Sequence, residues 1–122
     1  HPRTLKKINK YNIKLNGSLK IIEPLGYLDM LLLEKNAKKI ITDSGGIQKE
    51  AYMLGVNCIT LRKETEWVEL LEAGANKLCP ISSEKILEFM NEKNLKIKNK
   101  NLYGDGKTAQ KIINQIENYN LN

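Results

Sequence analysis

The string Asp43-Ser44-Gly45-Gly46 contains the residues of this sequence that are best suited to hold an anion. It follows an apolar run, and Ile47, Ala51 and Leu54 come after it at the i, i+4 and i+7 spacing of a helix. Amides in the first turn of a helix have no intrahelical acceptor and can bind phosphate groups. The two glycines let the backbone come close to a ligand, and the serine adds a hydroxyl. Taken alone, the same string is also typical of a tight turn between a strand and a helix.

Glu50 is the second candidate residue. On a helical wheel it falls at the edge of the apolar stripe of the predicted helix, whereas Lys49 points away from that stripe. A carboxylate at such a border needs hydrogen-bond donors, and the vicinal hydroxyls of a ribose can supply them. The alternative is an exposed glutamate paired with a surface lysine.

Three more candidates, Arg62, Glu66 and Trp67, follow the next predicted strand. An arginine here could pair with phosphate or with the neighbouring Glu66. The tryptophan could belong to the core or to the wall of a cleft.

The elements that position these residues alternate along the chain. Apolar runs predict strands at Leu19–Ile22, Lys39–Thr42, Asn57–Leu61 and around Leu78-Cys79. Between and after them, helical spacing predicts helices over Tyr27–Asn36, over Ile47–Leu54 with Gly55 as a left-handed cap, after Thr65 as N-cap, after Ser82 or Ser83, and along Ala109–Ile116. Thr4–Asn12 is a further candidate helix, and the Lys/Asn-rich stretch 93–100 is a solvated connector.

Strands alternating with helices predict an α/β fold, a Rossmann-like parallel sheet flanked by helices, in a single domain over 1–122. In such a sheet, ligands bind beyond the carboxyl ends of the strands.

Composition narrows the class of protein. The 122 residues carry a net charge of +6, but the lysines are dispersed and no aromatic stacking motif accompanies them, so nucleic acid is not an expected partner. No apolar run is long enough to span a bilayer, and no secretory signal pattern opens the chain. One histidine and two separated cysteines predict no metal site, and Cys58 and Cys79 are expected to be buried thiols of a cytoplasmic protein. Because residue 1 is not methionine, the chain is expected to be part of a longer or processed protein.

A longer string carries a family resemblance. Residues 41–51, Ile-Thr-Asp-Ser-Gly-Gly-Ile-Gln-Lys-Glu-Ala, resemble the TDSGGIQEEA signature of the non-hydrolysing UDP-N-acetylglucosamine 2-epimerases. Further elements of this family occur in the family's order over essentially the whole chain: His1-Pro2-Arg3-Thr4, Pro24-Leu25-Gly26-Tyr27, Leu61-Arg62, Thr65-Glu66 and Tyr103-Gly104-Asp105-Gly106.

The resemblance implies the C-terminal half of a two-lobed GT-B fold, which holds UDP in the cleft between the lobes. Ser44, Gly45 and Gly46 match positions that bind the diphosphate, Glu50 matches the carboxylate on the ribose, and Met30 matches an aromatic position that packs on uracil. The implied reaction interconverts UDP-GlcNAc and UDP-ManNAc. UDP is eliminated across C1–C2 and added back with the C2 proton on the other face, without a redox cofactor.

The family's acid/base carboxylates and catalytic histidine match no residue of this chain, so the chain alone is expected to bind UDP or a UDP-amino sugar without turning it over. Where many members read TERPE, residues 65–69 read Thr-Glu-Trp-Val-Glu, so that Trp67 stands in place of an arginine. This form resembles the branch that includes epimerases of UDP-2,3-diacetamido-glucuronic acid, and a free-standing UDP-sugar-binding module is a further alternative. The family also implies a homodimeric, cytoplasmic isomerase of cell-surface polysaccharide biosynthesis whose N-terminal lobe supplies the catalytic groups.

Overall fold

A computed structural model describes residues 1–94 and 96–119 of the chain. It divides into two compact units, His1–Leu32 and Leu33–Asn122, which are described separately below. The elements in chain order are α1 (Pro2–Lys10), α2 (Tyr27–Asn36), β1 (Ile40–Thr42), α3 (Gly45–Leu54), β2 (Cys58–Thr60), α4 (Val68–Glu72), β3 (Asn76–Leu78), α5 (Ser83–Asn91) and α6 (Thr108–Glu117). None of the helices in the described part of the chain has the length and apolarity to cross a bilayer.

The first unit contains one confirmed prediction and one wrong one. The helix predicted over Thr4–Asn12 is α1, which begins earlier because Pro2 suits the first helical turn and His1 Nδ1 accepts a hydrogen bond from Arg3 N at 3.2 Å. Leu19–Ile22 is not a strand. Apolar strands form when they gain ladder hydrogen bonds and burial, and this segment has no strand partner in the described chain and leaves Ile22 57% exposed.

The second unit is built on a parallel sheet, as the alternating pattern predicts. Its three strands lie in the order β1-β2-β3. Ile40 pairs with Cys58, and Cys58 pairs with Asn76. Because the strands are parallel, the segments that follow β1 and β2 emerge at the same edge of the sheet, which is where ligands bind in folds of this class.

Helix α3 joins two hydrophobic clusters and is thereby fixed against the sheet. On one side Ala51 lies with Ile40, Val56 and Cys58, and on the other side Tyr52 lies with Leu70 and Ala75. The predicted left-handed cap closes the helix, with Gly55 at φ 75°. Cys58 and Cys79 are free and buried, as predicted.

The stretch 93–100 is not simply a solvated connector. Ile97 packs on the second cluster, and Lys98 N donates a hydrogen bond to Ala73 O at 2.9 Å. Within the described part of this run, which leaves out residue 95, the apolar Ile97 anchors the neighbouring residues to the core.

Lys39 ties the end of α5 to the start of β1. Its Nζ donates to the carbonyl oxygens of Phe89 at 2.6 Å, Met90 at 3.1 Å and Glu92 at 2.6 Å. A cation at this position also opposes the negative end of the helix dipole.

We expect Lys39→Met to lower the free energy of unfolding by about 1–2 kcal/mol, measured by urea denaturation. Lys38→Met, at the exposed neighbour, is the control and should change it little; equal effects of the two variants would contradict the prediction.

Candidate functional site

The first turn of α3 lies at the carboxyl edge of the sheet. Ser44 is the N-cap in an extended conformation (φ −83°, ψ 127°), and its side-chain oxygen accepts from Ile47 N at 3.5 Å. Thr42 Oγ1 accepts a hydrogen bond from Ser44 N at 3.0 Å, which holds the turn to the end of β1. Gly45 and Gly46 are the first two helical residues, so their amides belong to the group that has no intrahelical acceptor. The predicted strand-to-helix turn is confirmed, and its geometry is suited to binding an anion.

Gly45 is in close contact with the segment after β2. A Cβ at this position would overlap Glu66 Oε1 and would lie 3.3 Å from Trp67 Nε1. A Cβ on Gly46 would meet only Ser44 Oγ, at an ordinary 3.8 Å. The Glu66 carboxylate therefore lies beside the first turn of α3, where the helix dipole favours negative charge.

Arg62 and Glu66 form an ion pair with an Nη1–Oε2 distance of 3.0 Å. This is the second of the two partners that the sequence left open for the arginine. Both side chains remain partly exposed, at 38% and 49%. The pair contributes little to stability because solvent screens it, and an anionic ligand at α3 would compete with Glu66 for the arginine.

Trp67 is half-buried and packs against the second cluster, so it belongs in part to the core. Its Nε1 is buried and has no hydrogen-bond partner among the described residues. The prediction that Lys49 points away from the apolar stripe of the helix is wrong. Its Nζ lies 3.5 Å from the centroid of the Trp67 ring and 4.8 Å from that of the Tyr103 ring. A cation over an indole face is attracted by the electron density of the ring, and this contact overrides the wheel position.

Tyr103 extends this contact to α4. Its hydroxyl donates to Glu69 Oε1 at 2.7 Å, and this hydrogen bond lowers the pKa of Glu69. The predicted turn at Tyr103–Gly106 is in this way held against the helices that flank the site.

Gln48 was not singled out by sequence reasoning, yet it organises the site from behind. It is fully buried, and its Oε1 accepts from Thr65 Oγ1 at 2.7 Å and from Asn76 Nδ2 at 2.9 Å. Its Nε2 donates to Ser44 O at 3.3 Å. Thr60 Oγ1 completes the network by donating to Asn76 Oδ1 at 2.8 Å. The amide thus links the N-cap of α3, the segment after β2 and the start of β3.

Thr65 is part of this network and not the N-cap that was predicted. Helix α4 begins only at Val68, with Trp67 as N-cap and no side-chain capping bond, so Glu69 and not Glu66 lies in its first turn. The Thr65 hydroxyl accepts from Trp67 N at 3.2 Å while it donates to Gln48. Because Thr65 donates to the buried Gln48 amide and caps no helix, α4 begins only at Val68.

Glu50 is half-buried, and no lysine or arginine of the described chain pairs with it. The surface ion pair that was its alternative is therefore absent from this part of the chain. The carboxylate lies on α3, whose first turn carries Ser44 as its N-cap. Met30 lies on α2 in the first unit and is 36% exposed.

The two glycines should respond differently to substitution. Alanine is about 0.5–1 kcal/mol more favourable than glycine in a helix, and Gly46→Ala should keep much of this gain. In Gly45→Ala the new methyl group overlaps Glu66 Oε1 and lies close to Trp67 Nε1, and the cost of moving these side chains should make this variant less stable than Gly46→Ala by roughly 1 kcal/mol.

Urea denaturation of both variants measures this difference. Adding Glu66→Ser to Gly45→Ala removes the obstructing carboxylate and should recover most of the loss. Equal stability of the two single variants would show that Glu66 does not restrict residue 45.

Comparison with known proteins identifies the family of this chain. The family model for UDP-N-acetylglucosamine 2-epimerase matches residues 1–117. A UDP-N-acetylglucosamine 2-epimerase homolog of Methanococcus maripaludis is 49% identical over 97% of this chain and 34% of its own length. The UDP-2,3-diacetamido-2,3-dideoxy-D-glucuronate 2-epimerase of Pseudomonas aeruginosa is 40% identical over 95% of this chain and 33% of its own length.

Solved structures show the same relationship. The UDP-GlcNAc 2-epimerase of Methanocaldococcus jannaschii superimposes with a TM-score of 0.79 at 44% identity, over 96% of this chain and 34% of the other. The same enzyme in complex with UDP-GlcNAc and UDP gives a TM-score of 0.75 at 45% identity, over 96% and 34% of the two chains. The chain thus spans about a third of the length of these relatives. It belongs to the UDP-N-acetylglucosamine 2-epimerase family, and its parallel sheet is that of the C-terminal half of the family's GT-B fold.

Proposed function

We propose that this chain is the UDP-binding domain of a UDP-N-acetylglucosamine 2-epimerase. The observation that carries the proposal is the first turn of α3, where the Ser44 hydroxyl and the Gly45 and Gly46 amides lie at the carboxyl edge of the sheet. These groups bind the diphosphate. Glu50 accepts hydrogen bonds from the two ribose hydroxyls, and Met30 makes an apolar contact with uracil. The complex of the M. jannaschii relative with UDP-GlcNAc and UDP supports a nucleotide of this class.

The role of these residues in the reaction follows from where charge develops. When the C1–O bond of the sugar nucleotide breaks, negative charge accumulates on the departing UDP, and donors that are already oriented stabilise it. A base removes the C2 proton as UDP leaves, which gives a C1–C2 double bond. The whole protein then adds UDP back to C1 while an acid returns a proton to the other face of C2. These proton transfers need acid and base groups. We assign them to the N-terminal lobe, because the two carboxylates that the described chain brings to this site have other roles: Glu50 binds the ribose, and Glu66 is paired with Arg62.

Trp67 supports a second candidate substrate, with a different sugar. Trp67, with an unpaired buried Nε1, stands next to Gly45 where many family members have an arginine. The 40% identity to the P. aeruginosa diacetamido-uronate epimerase supports a UDP-2,3-diacetamido-uronate as the alternative substrate. Arg62, Glu66 and Trp67 would then face the sugar.

Titration calorimetry with UDP tests the binding proposal, with ADP as the control for the base. We expect micromolar or weaker affinity for UDP and a markedly lower affinity for ADP; no heat with UDP at millimolar concentration would refute the proposal. Assay of the whole protein with both sugars tests the reaction. Interconversion of C2 isomers without an acceptor supports an epimerase, whereas UDP binding without turnover supports a free-standing binding module.

The family also supports a setting for the whole protein. We propose a homodimeric, cytoplasmic isomerase that uses neither a redox cofactor nor nucleic acid and supplies amino sugars for cell-surface polysaccharides. Size-exclusion chromatography with light scattering measures the oligomeric state.

A further inference from the structure

The Glu66 carboxylate lies beside the amides that the proposed site offers to a diphosphate. A Cβ on Gly45 would overlap Glu66 Oε1, so the glycine is what lets the carboxylate lie against the first turn of α3. Its Oε2 accepts a hydrogen bond from Arg62 Nη1 at 3.0 Å. A carboxylate beside free helix amides and paired with a guanidinium has the surroundings that a phosphate group requires. Glu66 therefore holds the place of an anionic ligand.

The backbone around Glu66 is fixed, whereas its side chain is not. Thr65 Oγ1 donates to the buried Gln48 Oε1 at 2.7 Å and accepts from Trp67 N at 3.2 Å, which holds the residues on both sides of Glu66. The Glu66 side chain itself is 49% exposed, and solvent screens its ion pair with Arg62. The carboxylate can therefore turn away from α3 by rotation of its own side chain, without movement of the loop.

Trp67 carries a hydrogen-bond donor at the same glycine. Its Nε1 is buried, lies 3.3 Å from the position of a Cβ on Gly45, and has no acceptor among the described residues, Glu66 included. The Lys49 ammonium, 3.5 Å from the centroid of the ring, holds the indole in place. A buried N–H without an acceptor destabilises the folded protein, and an acceptor that arrives with a ligand would relieve this cost.

We propose that Glu66 is an internal competitor at the anion site and that a bound diphosphate displaces it. Displacement turns the Glu66 side chain to solvent, transfers Arg62 from the carboxylate to a phosphate oxygen, and gives Trp67 Nε1 a phosphate oxygen as its acceptor. The diphosphate prevails because its two phosphate groups carry more charge and more acceptor oxygens than one carboxylate. The inference rests on the proposed function for its ligand, and it adds two donors and a side-chain movement to the site.

The first test measures UDP binding by calorimetry in the complete protein that carries this chain, at low and constant ionic strength. Glu66→Gln keeps the size of the side chain and removes the competing charge, so it should bind UDP about three- to tenfold more tightly than wild type. Glu64→Gln, at an exposed position of the same loop, changes the net charge equally and should bind within about twofold of wild type. A Glu66 that instead contacted the ligand would give weaker binding in Glu66→Gln.

Two further variants test the donors. Arg62→Gln removes the guanidinium and should weaken UDP binding about tenfold. Trp67→Phe keeps a ring for Lys49 but removes the N–H, and it should weaken binding about three- to tenfold. If Trp67 served packing alone, this variant would melt at a lower temperature but bind UDP as wild type does.

The indole N–H of Trp67 gives a direct readout of the new hydrogen bond. Its signal in a nitrogen–proton correlation spectrum is identified as the one that Trp67→Phe removes. In wild type this signal should move to lower field as UDP saturates the protein, because a hydrogen bond deshields the proton.

The outcomes separate this inference from the proposed function. If wild type binds UDP but Glu66→Gln binds it no more tightly than Glu64→Gln, the displacement is overturned and the proposed function stands. Unchanged affinity in Arg62→Gln, or in Trp67→Phe with an indole signal that does not move, overturns the role of that donor. If neither wild type nor Glu66→Gln binds UDP, the proposed function fails. Inorganic pyrophosphate then decides the displacement, which survives only if Glu66→Gln binds pyrophosphate more tightly than wild type.

Discussion

Replacing Gln48 with leucine is expected to lower the free energy of unfolding by about 2–4 kcal/mol. The substitution removes one acceptor and one donor from a site with no solvent access. Asn76 Nδ2 then loses its acceptor, and Ser44 O and the Thr65 hydroxyl lose a partner each. Leaving buried polar groups unpaired is more costly than the average hydrogen bond is stabilising, which is why this effect exceeds those expected at the surface.

A graded control is available in the same network. Thr60→Val is nearly isosteric and removes the donor to Asn76 Oδ1, which keeps its hydrogen bond from Lys77 N at 2.8 Å, together with a weak contact to Cys58 Sγ at 3.9 Å. We expect a loss of about 1 kcal/mol for this variant. Urea denaturation of Gln48→Leu, Thr60→Val and wild type measures both. A Gln48→Leu variant as stable as Thr60→Val would show that the amide is not the centre of the network.

Replacing Glu50 with alanine is expected to weaken UDP binding by roughly 10- to 100-fold. The expectation rests on the proposed function, in which the ribose hydroxyls donate to a carboxylate that no described lysine or arginine neutralises. Hydrogen bonds to a charged acceptor are about twice as strong as neutral ones. The fold should survive, because the side chain is half-buried and not part of either hydrophobic cluster.

A ligand lacking one hydroxyl makes the test specific. Calorimetry with UDP and with 2′-deoxy-UDP, each against wild type and Glu50→Ala, forms a double-mutant cycle. If Glu50 binds the ribose, the deoxy ligand should bind more weakly to wild type, and the difference should shrink in the variant. If Glu50→Ala weakens the binding of UDP and of 2′-deoxy-UDP by the same factor, Glu50 does not contact the ribose 2′-hydroxyl. Glu72→Ala, at an exposed position of α4, controls for the loss of a negative charge.

The fold was predictable where a short stretch of sequence decides the outcome. Helical spacing alone places Ile47, Ala51 and Leu54 on one face of α3. The two predicted caps, Gly55 and Ser82, also depend only on local chemistry. Leu19–Ile22 shows the limit. Its apolar composition suits a strand, but pairing depends on a partner elsewhere in the chain, and composition carries no information about the partner.

The site follows the same division. Ser44, Gly45 and Gly46 could be assigned from their order, because a helix that begins after a strand exposes its first amides. Gln48 could not, since its importance depends on burial that brings Thr65 and Asn76, both distant in sequence, against it. The available signal for Gln48 was its position on the helical wheel between Ala51 and Tyr52, two residues that a core can bury.

The single tryptophan of this chain, Trp67, lies beside the first turn of α3 with the Lys49 ammonium over its ring. Indole fluorescence responds to nearby charge and to the polarity around Nε1, so one chromophore reports on the proposed phosphate site without a label. A nucleotide that enters the first turn of α3 and displaces Glu66 should change the emission of Trp67. Titrating that emission would follow binding in real time, and the signal would come from the only residue of its type in the chain.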